Sequence, residues 1–173
     1  MLNIDSRAQF SEGSMKVTPL EEYGIRLCLQ LARKGPGGSG TIPELAKAEA
    51  LTPAYAAKTL ALLRKGGLVT SLRGQAGGYQ LARSADQITV HDIMNVMGGK
   101  LYTTDFCGKH SGNHDECVHT TDCSVRSLWN GLEFFLNGLL AQYRLSDLQD
   151  PARMMEIWIK NSPVKGSLEI VQN

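Results

Sequence analysis

Three threonines in the first third of the chain, Thr18, Thr41 and Thr52, each stand one or two positions ahead of a proline. Proline lacks the amide proton that a helix interior needs, yet it fits the first turn, and a threonine ahead of it offers a hydroxyl to the orphan amides there. Each pair therefore starts a helix and forbids one from running through it. Glu21 and Glu44 follow Thr18 and Thr41 by three residues, the spacing of a reciprocal capping box. The chain is thereby cut into a first helix ending at the glycine-rich 35–40 segment, read as a flexible turn, a short second helix through Ala48, and a third from Pro53 to about Lys65. Two short helices joined by three or four residues make a helix-turn-helix.

Beyond the third helix the pattern extends. Gly66 and Gly67 stop it, and residues 68–72 and 79–82 read as two strands around a basic, glycine-rich tip, Arg73-Gly-Gln-Ala-Gly-Gly78. The expectation is a β-hairpin wing. Thr89 caps a fourth helix carrying Ile93, Val96 and Met97 on one face, with Gly98-Gly99 at its end. More than twenty residues without a clear period come next, and loops of that length inside small domains are usually functional or disordered. Val125, Leu128, Trp129, Leu132, Phe135, Leu136, Leu139, Leu140 and Tyr143 then form a wide apolar stripe. A helix with such a stripe needs a partner surface, and a second copy of the chain supplies one. A short helix is expected after Ser146 or Pro151.

The net charge of +1 conceals an asymmetry. Residues 15–83 hold ten Lys or Arg against four Asp or Glu, and residues 84–173 hold seven against eleven. A basic first half suits a polyanion. With Ala56, Leu60 and Leu63 on the buried side of the third helix, the opposite face carries Ala54, Ala57, Lys58, Ala61 and Lys65. A helix entering the major groove reads bases from its N-terminal end, so Ala54, Tyr55, Ala57 and Lys58 are the candidate base-facing residues, with Lys58 reaching for guanine or phosphate. Arg64 and Lys65 suit phosphate, and Arg73 at the wing tip suits a narrow minor groove. Taken singly, each of these residues also reads as a solvated surface charge or small side chain. The combination of capped helix pair, glycine stop and basic hairpin is what points to double-stranded DNA.

The long loop carries Cys107, Cys117 and Cys123 within seventeen residues. No apolar run approaches ~20 residues and no signal-peptide core opens the chain, so the expectation is a cytoplasmic protein whose thiols stay reduced. Sulfur at this density binds metal, reacts with oxidants or bridges. Zinc suits a mixture of cysteine with His110, His114 and His119, although no Cys-x-x-Cys pair is present. A metal-free thiol switch needs only the sulfurs. Cys28, on the apolar stripe of the first helix, reads as a small core residue. No nucleophile–base–orienter set or phosphate-cradling loop is evident, so an enzyme is not expected.

Several segments together resemble the Rrf2 family of winged-helix regulators. They are Met15-Lys-Val-Thr18, Tyr23-Gly-Ile-Arg26, Ile42-Pro-Glu-Leu-Ala46, Leu62-Leu-Arg-Lys-Gly-Gly-Leu-Val69, the wing from Leu72 to Leu81, and the three cysteines ahead of Leu128-Trp129. The resemblance spans roughly residues 15–148, and the Arg-Gly-x-x-Gly-Gly-Tyr wing is its most specific element. It implies a homodimer with a long crossing helix, a palindromic DNA operator, and an iron–sulfur cluster, 2Fe–2S or 4Fe–4S, on Cys107, Cys117 and Cys123. Three cysteinates leave such a cluster one ligand short. Some branches of the family use a histidine three residues after the last cysteine, where this chain has Arg126. Others use a carboxylate on the first helix, at the position matching Glu22; of the candidate fourth ligands Glu22, His110, His114 and His119, Glu22 is therefore favoured. Its ordinary alternative is an i,i+4 salt bridge to Arg26.

The resulting expectation is a mainly α chain with a small β-hairpin wing. Residues 1–14 form a disordered extension, 15–83 the winged helix-turn-helix, 84–99 a connecting helix, 100–123 the cluster-binding loop, 124–150 a dimerisation helix and 151–173 a C-terminal segment. The expected function is transcriptional regulation with operator affinity set by the cluster. A thiol-sensing regulator is the nearest alternative, and an iron–sulfur electron carrier or cluster-delivery protein is the alternative from another class.

Overall fold

All the capped starts form where the spacing puts them. The computed structural model describes residues 17–74, 77–102, 111, 117–119 and 122–161; the expectation for residues 1–14 lies outside these. Helix α1 spans Pro19–Arg33, and Thr18 and Glu21 close a capping box, with the Thr18 amide donating to Glu21 at 2.7 Å. Strand β1 is Ser39–Gly40, α2 is Ile42–Ala48 with a second capping box from Thr41 and Glu44, and α3 is Pro53–Lys65 with Thr52 as its cap. Strands β2, Val69–Leu72, and β3, Gly78–Leu81, form the hairpin. Helix α4 is Val90–Met97, α5 is Ser124–Leu140 and α6 is Pro151–Asn161.

The 35–40 segment is more than a turn. Ser39 pairs with Gln80 and Gly40 with Tyr79, so the wing is a three-stranded antiparallel sheet in the order β1-β3-β2. Two residues of serine and glycine carry no strand periodicity, and only the β3 edge beside them makes them a strand.

The core lies where α1, α3 and α4 meet the sheet. Leu27, Leu31, Leu60, Leu63, Ile88 and Ile93 are fully buried in it. The helices approach closely through glycine. A Cβ on Gly24 of α1 would stand 2.7 Å from Met97 Cγ, and one on Gly66 would stand 2.3 Å from Val96 Cγ2, so α4 rests on both α1 and the end of α3. The helix-turn-helix bends at Ala50, which holds a left-handed φ of 53°.

The apolar stripe of residues 125–143 resolves into two parts. Helix α5 stops at Leu140, short of the expected 150. Tyr143 and Leu145 fold back into the core, where the Val90 amide donates to the Tyr143 carbonyl and the Leu145 amide to that of Ile88. Tyr143 therefore belongs to the interior and not to the helix face. A 3-10 turn, Asp147–Gln149, leads into α6, whose Trp158 ring tilts against Tyr143 at 5.3 Å. No residue of α5 is buried; Val125, Leu128 and Phe135 are exposed along one side, and the neighbouring Phe134 is 81% exposed.

Candidate nucleic-acid interface

Helix α3 turns one side inward, with Ala56, Thr59, Leu60 and Leu63 buried. Its other side has Ala54, Lys58, Ala61, Arg64 and Lys65 exposed and Tyr55 and Ala57 half-buried. The small side chains near its N-terminal end leave a shallow surface from which Lys58 projects. Arg64 is also tied to the wing, its Nη1 donating to Ser71 Oγ of β2 at 3.4 Å. Arg73 is exposed at the start of the hairpin tip, and Gln75 and Ala76 lie outside the described residues. The residues expected to face DNA are thus exposed or half-buried, and Arg64 links α3 to the wing that carries Arg73. Arg83, the other basic residue of this region, pairs with Asp92 at 3.7 Å and serves α4.

Behind α3 lies a polar cluster that sequence reasoning missed. Glu49, at the C-terminal end of α2, has only 5% of its side chain exposed. Its two oxygens accept from Arg26 Nε at 2.5 Å and from Gln30 Nε2 at 2.6 Å, both on α1. The hydrogen bond to Glu49, followed by the same carboxylate's charge, raises the Arg26 pKa above its ordinary value. The Arg26 guanidinium also lies 5.3 Å from the centre of the Tyr23 ring, and Tyr23 meets Tyr55 edge to face at 5.7 Å. Nothing in the spacing of Arg26 and Glu49 marks them as partners, because they meet only after the helix-turn-helix folds onto α1.

The cysteine segment is described in part. Cys117 and Cys123 are half-buried and unbridged, and Cys107, His110 and His114 lie outside the described residues. Cys123 caps α5, its sulfur accepting from the Arg126 amide at 3.4 Å, while Arg126 Nη2 donates to the His119 carbonyl at 3.0 Å. Arg126, at the position where other branches carry a histidine, therefore staples the segment to the helix start. At the other end, Glu133 of α5 accepts from the amides of Leu101 and Tyr102 at 2.8 and 3.3 Å, with Asn137 on its second oxygen. A cleft of about 410 Å³ opens beside this clamp, between Val17 and Glu21 of the α1 end, Met94 and the Glu133 side of α5.

Glu22 is exposed on the first turn of α1, with Arg26 4.0 Å away. The expected salt bridge is thus present only as a long contact, since the closer Arg26 bond goes to Glu49. Among the described residues, no three His, Cys, Asp or Glu side chains converge. Two accessible sulfurs and an exposed carboxylate are suitable in type for iron. Cys28 is a different thiol: it is wholly enclosed by the α1 core, and burial pushes its pKa up to about 12.

A helix-turn-helix with an exposed, small-residue third helix and a basic wing defines a winged-helix DNA-binding protein. The chain belongs to the Rrf2 family: residues 18–151 match the family model described as an iron-dependent transcriptional regulator. It is 29% identical over 140 residues to the protein rrf2 of Nitratidesulfovibrio vulgaris, covering 81% of this chain and 91% of that one. Among solved structures, IscR of T. potens matches with a TM-score of 0.59 and 27% identity over 88% of this chain and 95% of the other. The oxidised form of Staphylococcus aureus CymR matches with a TM-score of 0.59 and 26% identity over 79% and 97%. The protein is a transcriptional regulator, and its relatives and fold are not those of an enzyme.

Proposed function

We propose that the protein is a homodimeric repressor or activator that reads a palindromic operator through α3 and the wing. In this reading the state of an iron–sulfur cluster on the cysteine segment sets its affinity. The observation that carries it is the attachment of that segment: Cys123 caps α5, and Glu133 of the same helix holds the amides of Leu101 and Tyr102. Both ends of the segment therefore bear on the helix whose open apolar side suits a second copy of the chain. Cys107, Cys117, Cys123 and Glu22 would hold the cluster, and iron–sulfur chemistry supplies a centre whose charge and integrity respond to oxidants. Glu22 sits on α1, so its engagement bears on the element that supports α3. Lys58 then meets a base or phosphate, Ala54, Tyr55 and Ala57 line the groove, Arg64 and Lys65 face phosphate, and Arg73 enters the minor groove. The family description as iron-dependent supports the metal.

Thiol sensing without metal is the second reading, supported by two half-buried unbridged sulfurs and by a relative solved in an oxidised form. Purification without oxygen, with iron and sulfide counted per chain, separates the two. The cluster reading expects a coloured protein with both elements and a changed spectrum in Glu22→Ala. Zinc alone, or neither element in a protein that still answers oxidant in DNA binding, ends that reading.

A further inference from the structure

We infer that Arg26 is a positioning residue for DNA reading, holding the base-facing end of α3 from α1. The inference rests on DNA reading by α3, which the wild-type measurement below tests separately. A carboxylate at a helix C-terminus faces the negative end of the helix dipole, and a buried one needs its charge and both oxygens answered. Glu49 is in that position, and α1 answers it with two donors one turn apart, Arg26 on one oxygen and Gln30 on the other. The residue after Glu49 is Ala50, in left-handed conformation, so the bend of the helix-turn-helix is pinned to α1 at its sharpest point. Two residues further on, Thr52 caps α3.

The second contact of Arg26 reaches α3 directly. Its guanidinium lies over Tyr23, and Tyr23 abuts Tyr55 in the first turn of α3. Arg26 thus touches two links, beside the shared apolar core, from α1 to the end of α3 that carries Ala54, Tyr55 and Lys58. A helix that reads base edges must be placed to a fraction of an ångström, whereas phosphate attraction tolerates a looser fit. Loss of the clamp should therefore relax base discrimination and spare electrostatic binding.

The test is the charge-neutral double variant Arg26→Met/Glu49→Met, because removing Arg26 alone would leave the buried Glu49 carboxylate without its cation, whereas replacing both partners leaves no unpaired charge behind. Its probes are the best duplex that the wild-type protein selects from a randomised library, and a random duplex of equal length. The ratio of the two affinities should fall about tenfold or more, the value of roughly one good base contact. Affinity for random duplex and the salt dependence of binding should stay as in the wild type. An unchanged ratio overturns the proposal, as does a parallel loss on both duplexes. Should the double variant not fold, Tyr23→Leu, which keeps the ion pair and removes the ring contact with Tyr55, must lower the ratio in the same way or the proposal fails. A wild-type protein that selects no duplex removes the underlying reading instead.

Discussion

Cysteines in this chain differ in chemistry because of where each is held. Cys28 is sealed in the α1 core, and burial alone lifts its pKa from 9.0 to about 12. Between those values the unfolded chain sheds the proton and the native chain keeps it. Stability contributed by the neutral thiol is full below the ordinary thiol pKa and is lost as pH rises, at ~1.4 kcal/mol per pH unit. Urea unfolding of wild type and Cys28→Ala across alkaline pH should show a steeper decline in the wild type; equal slopes would contradict this account. The sequence stripe was enough to place Cys28 in the core. It was not enough to show that Arg26 would turn from Glu22 to Glu49, since that choice depends on a partner twenty-three positions away.

Elements were legible wherever a local rule decided them. Thr18, Thr41, Thr52 and Thr89 each accept a bond from a first-turn amide, and Gly98 closes α4 in a left-handed conformation. These are contests between neighbouring groups, so four or five residues settle them. Strand β1 and the end of α5 were not legible, because β1 exists through pairing with β3 and Tyr143 is buried through pairing with residues 88–90. The meeting of α3 and α4 is likewise tertiary. Gly66→Ala would place a methyl against both branches of Val96, a side chain stiff at χ1, and should cost ~1–3 kcal/mol. A denaturant midpoint unchanged from wild type would show that α4 can yield there.

At the scale of the whole molecule, the asymmetry of charge has a structural counterpart. The basic half folds into the helix-turn-helix and wing, and the acidic half holds the cysteine segment and the exposed α5. Leu128 and Phe135 lie on the side of α5 turned away from α4, and a second copy is the occupant proposed for it. Leu128→Glu should convert dimers to monomers by light scattering and weaken binding to a two-half-site duplex far more than to a single half-site. A monomeric wild type, or a dimer untouched by the substitution, would remove α5 as the interface.

Family, the capped helix starts, the buried side of α3 and the basic wing all stem from the amino-acid order, because caps, periodicity and glycine stops act over a few residues. Tertiary structure decided that Glu49 anchors the bend to α1, that Arg126 staples the cysteine segment to the start of α5, and that Glu133 grips its other end. Each of those side chains carries charge, and a charge takes its partner from whatever the folded chain brings within a few ångströms.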